Sequence, residues 1–160
     1  MKPETSVAGK PRFISSVPWN PQHPDALVIH CGYFPYQLQI DDFVSKGLGL
    51  VFDRFAVPGG AQFFVAGGVQ YKYKMADVPR VKFLHEGHKF QQIICIADAG
   101  CGWYADMLGK NISQEAFKQR QIDDLVKARS VITAEFQNLS VRLFFAQPNG
   151  DGWVEFEEII

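Results

Sequence analysis

The spacing of apolar residues along the chain predicts strands that alternate with helices. Short apolar runs that end at turn-forming residues are typical of buried strands, and such runs occupy residues 26–30, 50–57, 92–97, 141–146 and 153–157. Apolar residues at helical spacing predict helices over residues 35–46, 78–87, 103–108 and 113–136. Residues 61–77 are broken by Gly67-Gly68, and we expect them to be irregular or to form only short elements.

This order of elements predicts an α/β fold with a mainly parallel central sheet that is flanked by helices. At the C-terminus, Val154 and Phe156 alternate with Glu155 and Glu157, which is typical of a half-exposed strand. We therefore expect an antiparallel hairpin at the edge of the sheet. Ligands of such sheets sit at the carboxyl ends of the strands, so the residues that end a strand are the first candidates for chemistry.

The length of 160 residues predicts one domain over residues 1–160. Residues 1–25 contain five prolines, which predicts an extended N-terminal arm. The arm also carries four apolar side chains that should pack against this domain or against a neighbouring subunit, namely Phe13, Ile14, Val17 and Trp19.

Composition narrows the class of protein. A net charge of -1 argues against nucleic-acid binding and against a basic membrane surface. No apolar run has the length of a membrane span, and the first residues lack a signal core, so we expect a cytoplasmic protein. The 14% aromatic content predicts a homodimer, and an odd number of cysteines, three, indicates reduced thiols or metal thiolates rather than a disulfide framework.

The most informative stretch is residues 91–104, where a buried strand ends at Asp98 and a small-residue turn leads to Cys101. Cys31 follows the first predicted strand in the same way. If these two strands are neighbours, the three side chains converge. A purely structural role fits the same residues, with Asp98 capping the next helix and the cysteines packing in the core.

Three segments resemble the β-class carbonic anhydrases, and most closely a set of short, diverged bacterial carbonic-anhydrase-like proteins. They are ALVIHC at 26–31, FAVPGG at 55–60 and IADAGCGWY at 96–104. The resemblance implies a β-carbonic-anhydrase-like fold and a zinc site. Carried over residue by residue, the two thiolate positions are Cys31 and Cys101, and Asp98 stands where the family has a histidine ligand.

The chain departs from the family at the positions that activate the metal-bound water. An Asp–Arg pair should follow the first cysteine, but Tyr33 and Pro35 occupy those places. A carboxylate is an accepted zinc ligand, but a Cys, Asp, Cys set is more anionic and makes zinc a weaker Lewis acid. We therefore expect no efficient hydration of carbon dioxide.

Two functions remain open. The one we favour is a non-catalytic binding or assembly role on the same scaffold. The alternative is a zinc-dependent lyase or hydrolase that acts on a small carbonyl or thiocarbonyl compound. Tyr33 and His30 are the candidates for catalytic side chains, although a histidine that ends an apolar strand is typical of a core residue. The aromatic residues around Tyr33 would suit a small apolar ligand or could simply close the pocket.

Three further motifs have a structural interpretation that we favour or hold equal. His85 and His88 could share a metal, but a basic helix C-terminus explains them better. Residues 57–61 could cradle an anion or form a plain tight turn. Asp123 and Asp124 are expected to be acidic residues on a helix surface.

Overall fold

The computed structural model describes residues 4, 5, 11–109 and 111–160. Strands are β1 (Glu4–Thr5), β2 (Pro11–Arg12), β3 (Ala26–His30), β4 (Phe52–Ala56), β5 (Gln92–Asp98), β6 (Ser140–Pro148) and β7 (Val154–Ile159). Helices are α1 (Gln37–Asp42), α2 (Tyr71–His88), α3 (Gly102–Leu108) and α4 (Gln114–Glu135). Short helical turns occupy Phe34–Tyr36, Phe43–Gly47, Gly60–Val65 and Gly68–Gln70.

Five strands form the central sheet in the order β4-β3-β5-β6-β7. The first four are parallel, and β7 pairs antiparallel with β6, which confirms the predicted fold class and the edge hairpin. Strands β3 and β5 are direct neighbours, with His30 beside Ile96. Parallel neighbours present their carboxyl ends at the same edge, so the residues that follow β3 meet those that follow β5.

Alternate residues of the central strands face two separate layers, as the two-residue period of a strand requires. Leu27, Ile29 and Ile93 face α2, α4 and the turn Gly60–Val65. Val28 and Ile94 face the opposite layer, where Ile40 of α1 and Val44 of the following turn cover them. Strands β3 and β5 are therefore buried on both faces, which explains why they are nearly continuous apolar runs.

Helix α2 begins at Tyr71, well before the predicted start at residue 78, so the expectation of short or irregular structure is wrong for residues 71–77. Pro79 lies inside the helix. Val81 is buried, whereas Phe83 of the same apolar pattern is 75% exposed. Residues two apart in a helix lie on nearly opposite sides, and a core contact for Val81 leaves Phe83 in solvent.

The arm leaves its apolar side chains unpacked. Between residues 13 and 25 the chain forms neither helix nor strand, and Phe13, Val17 and Trp19 are 73–86% exposed. Packing of these side chains against their own domain is therefore wrong, whereas packing against a second subunit stays a prediction. Most of residues 1–10 lie outside the described residues.

None of the described helices combines the length and apolarity needed to cross a membrane.

Candidate metal centre

Strand β3 delivers Cys31 to the carboxyl edge of the sheet. The turn after β4 closes over it, because Val57 N–H donates to the carbonyl oxygen of His30 at 3.1 Å. Gly60 has a φ of +53°, and a Cβ there would lie 3.1 Å from the backbone nitrogen of Cys31, so only glycine allows this approach. Backbone N–H groups of Gly59, Tyr33 and Gly32 help to lower the pKa of the Cys31 thiol. Residues 57–61 are thus a tight turn that supports Cys31.

Strand β5 delivers the other two side chains. Asp98 ends the strand, and its Oδ1 accepts a hydrogen bond of 3.1 Å from the N–H of Gly100. Cys101 directly precedes α3, with an extended backbone, and the N–H of Tyr104 donates to its sulfur. The expectation that Asp98 caps this helix is wrong, since no side chain caps α3 and Cys101 holds that position.

Cys31, Asp98 and Cys101 form one buried cluster, which we call the cysteine–aspartate cluster. One ligand atom from each lies within 4.8 Å of the other two, and the two sulfur atoms are 3.4 Å apart. Their exposed fractions are 8%, 3% and 1%, and both thiols are free. Thiolate and carboxylate donors at this spacing fit a zinc ion.

Without a cation, ionisation of one cluster residue opposes ionisation of the others. Burial, and secondly the nearby Cys31 sulfur, raises the pKa of Asp98 to about 7. The Cys101 thiol donates to Cys31, so the pKa of Cys31 falls, with help from three backbone N–H groups, while the pKa of Cys101 rises. The three groups therefore cannot all ionise together near neutral pH, and a divalent cation would remove this conflict.

Helix α4 supports the cluster and the start of α3 through two buried polar side chains that sequence reasoning missed. Gln121 is 1% exposed, and its amide donates to the carbonyl oxygen of Asp98 at 3.1 Å. Asp124 is 3% exposed and accepts from the Tyr104 hydroxyl at 3.0 Å and from Arg120 at 3.1 Å. The expectation that Asp124 is a surface acid is therefore wrong. A periodic pattern cannot reveal the bonds to Asp98 and Tyr104, because these partners lie 23 and 20 residues away in the chain.

Beside the cluster is a cavity of about 800 Å³. Tyr33, Ala99 and Gly100 form its wall nearest the cluster, and Phe117, Phe145 and Trp153 supply further aromatic surface. The Tyr33 ring lies directly against Gly100, where a Cβ would be only 2.5 Å from ring atom Cε1. None of the three cluster residues lines the cavity.

Comparisons with solved structures identify proteins whose fold is similar to that of this chain. The chain is similar to the β-carbonic anhydrase CafA of Aspergillus fumigatus, with 15% identity, a TM-score of 0.56, and coverage of 85% of this chain and 76% of that one. It is also similar to tetrameric β-carbonic anhydrases of Sordaria macrospora, with 12% identity, a TM-score of 0.58, and coverage of 87% and 84%. A β-carbonic anhydrase of Trichomonas vaginalis matches with 13% identity, a TM-score of 0.51, and coverage of 90% and 87%.

The chain has a β-carbonic-anhydrase-like fold. No family model matches the sequence, and no curated protein matches it. The resemblance read from three short segments is thus confirmed at the level of the fold.

Within this β-carbonic-anhydrase-like fold, the two candidates for catalytic side chains lie in different surroundings. Tyr33 is 43% exposed and stands at the cavity wall. His30 is 1% exposed, and its Nδ1–H donates to the carbonyl oxygen of Cys31 at 2.7 Å. Burial lowers the pKa of His30, so the ring is neutral. It is not a member of the cluster.

The histidines at the end of α2 are separate from the cluster. His88 pairs with Asp53 of β4, and the His85 ring lies 4.9 Å from the ring of Phe90. Among the described residues, the cysteine–aspartate cluster is the only group of three that could hold a metal ion. The interpretation of His85 and His88 as a basic helix C-terminus agrees with this placement.

Proposed function

We propose that the chain binds zinc through Cys31, Asp98 and Cys101 and serves a binding or assembly role without efficient hydration of carbon dioxide. Zinc in this cluster would join the ends of β3 and β5 to the start of α3 and neutralise the thiolates. Tyr33 and Pro35 occupy the places of the Asp–Arg pair that the family resemblance calls for, so no acid or guanidinium there orients a nucleophile.

The closed wall of the cavity is the observation that carries this proposal. Catalytic zinc sites keep one position open for water or substrate, whereas structural sites are enclosed by the protein. Three protein ligands leave a fourth position on zinc. Here the contact between Tyr33 and Gly100 lies beside the cluster in the chain, and no cluster residue reaches the cavity surface. The arrangement favours a metal whose fourth position is shielded from the cavity.

We further propose that the chain forms a homodimer through its N-terminal arm. Four exposed apolar side chains in one extended segment would be costly to leave in water, and a second copy of the chain is the expected cover. Three free thiols fit a reducing compartment, which supports a cytoplasmic location.

The alternative, a zinc-dependent lyase or hydrolase for a small carbonyl or thiocarbonyl compound, is supported by one feature. The cavity is large enough for a small molecule and is bordered by the turn between Asp98 and Cys101. This function requires Tyr33 to move away from Gly100 and expose the cluster.

Metal content measured on tag-free protein tests the proposal. We expect about one zinc per chain, lost in Cys101→Ser and kept in Cys95→Ala. Cys95 is a suitable control because it is buried in the core and lies outside the cluster. Absence of zinc from unaltered protein refolded with zinc would reject the metal site. Zinc together with rapid carbon dioxide hydration would reject the non-catalytic role, and thiocarbonyl hydrolysis would favour the alternative.

A further inference from the structure

Among the described residues, the His30 side chain makes a single hydrogen bond, and that bond is to the backbone of a cluster residue. Its Nδ1 lies 2.7 Å from the carbonyl oxygen of Cys31. A carbonyl oxygen only accepts, so Nδ1 carries the proton and Nε2 is an acceptor. Nε2 is fully buried and has no hydrogen-bond partner in the part of the chain that the structure describes. Burying Nε2 without a hydrogen bond costs free energy of folding, while Nδ1 of the same ring bonds to the Cys31 backbone.

The hydrogen bond from His30 holds the Cys31–Gly32 peptide, and the N–H of that peptide interacts with the Cys31 sulfur. The carbonyl oxygen of Cys31 and the N–H of Gly32 belong to the same planar peptide unit, so fixing the oxygen also fixes the direction of the N–H. Hydrogen bonding from the N–H of Gly32 is one of three backbone contributions that lower the pKa of the Cys31 thiol. The adjacent N–H of Tyr33 is another.

We infer that His30 is a positioning residue of the cluster, which holds the Cys31–Gly32 peptide so that its N–H points at the Cys31 sulfur. The inference rests on the proposed zinc site and assigns a role to a residue outside the ligand set. A histidine that merely fills the core would be replaceable by any side chain of similar volume. A positioning histidine is replaceable only by a side chain with a donor at the same place.

Asparagine and leucine at position 30 separate these two roles, because their side chains have the same number and branching of heavy atoms and only asparagine has a donor on an atom that can take the place of Nδ1. We expect His30→Leu to lower zinc affinity by about 10–100-fold, as loss of an outer-shell partner does, and His30→Asn to stay within about threefold of the unaltered protein. Competition with a chromogenic chelator measures the affinity. The charge-transfer bands of the cobalt-substituted protein report the thiolate geometry.

A second pair of variants avoids any change in the core. Gly32 is exposed, and no atom lies within 4 Å of a Cβ placed there. Gly32→Pro removes the N–H at the other end of the same peptide, and Gly32→Ala keeps it. We expect the proline variant to match His30→Leu in zinc affinity and the alanine variant to match the unaltered protein.

Amide hydrogen exchange in the metal-free protein provides a readout that does not depend on zinc. Faster exchange at Gly32 and Tyr33 in His30→Leu, restored in His30→Asn, is the expected result. Equal affinity and equal exchange in the two variants would overturn the inference. Unaltered protein that binds no zinc would reject the proposed function, and the exchange comparison would still decide whether His30 holds this loop.

Discussion

The two loops that form the cysteine–aspartate cluster hold their side chains in different ways. The loop after β3 surrounds the Cys31 sulfur with three backbone N–H donors. The loop after β5 gives Asp98 and Cys101 one backbone donor each and is braced from outside by Gln121 of α4. The first loop favours the thiolate form of Cys31 whether or not a cation is bound. The second accepts charge readily only when a cation is present, so it is the loop on which metal binding should act most.

The largest expected effect concerns Asp98 in the second loop. Its pKa of about 7 exceeds the ordinary carboxyl value of 3.8, so the folded metal-free protein binds this proton more tightly than the unfolded chain does. The resulting stabilisation is complete below about pH 4 and is lost as the pH rises through 7, with a total of up to about 4 kcal/mol. The difference in urea unfolding between the unaltered protein and Asp98→Asn from pH 4 to pH 8 measures it, because Cys31, whose pKa is lowered to about 6, titrates in the same range with the opposite sign.

Asp98→Asn is the matched control, because an amide of the same shape does not titrate. We expect this variant to lack that part of the pH dependence. With zinc present the trend should reverse, since the metal displaces protons and binds more tightly as the pH rises. If the free energy of unfolding depended on pH equally in Asp98→Asn and in the unaltered protein, the two loops would not differ in charge as described.

An intermediate effect is expected for the brace behind the second loop. Gln121→Leu removes the donor to the Asp98 carbonyl oxygen and should lower the free energy of unfolding by about 1–3 kcal/mol. Gln119→Leu on the same helix is the control, because Gln119 is exposed and should change stability by less than about 0.5 kcal/mol. Equal losses from both variants would show that the brace contributes nothing specific.

The smallest effect on stability is expected where the first loop meets the cavity. Tyr33→Ala removes a half-exposed ring and should change the free energy of unfolding by less than about 1 kcal/mol. It should nevertheless open the wall beside Gly100, so that Cys31 in the metal-free protein is alkylated several-fold faster. The neighbouring Phe34→Ala, which removes a 79% exposed ring, should leave the alkylation rate unchanged. Equal rates in the two variants would show that Tyr33 does not close the site.

The central strands of the sheet were predictable because they are buried on both faces and each is a short continuous segment of the sequence. Residues 26–30 are all apolar except the last, and every one of them is buried. The convergence of Cys31 with Asp98 and Cys101 followed from the ends of two predicted parallel strands, and the structure brings the three side chains together. Short apolar runs of this kind are little affected by the rest of the molecule.

Other features depend on contacts that no local pattern encodes. The start of α2 is not marked by the sequence, because Pro79 favours the beginning of a helix and the earlier turns from Tyr71 to Ala76 are mostly exposed and lack an apolar period. Asp124 and Gln121 read as ordinary polar residues of a surface helix until Tyr104 and the end of β5 are placed beside them. The role of the His30 ring required the position of one carbonyl oxygen.

The placement of the cluster also constrains the order of folding. Cys31 and Asp98 end adjacent parallel strands, and the chain between them includes β4, the turn Gly60–Val65 and all of α2. Such a long crossover must form before the two strand ends meet, and pairing of this kind is slow. A cation held there would therefore act late: it would leave the rate of folding nearly unchanged and slow the rate of unfolding.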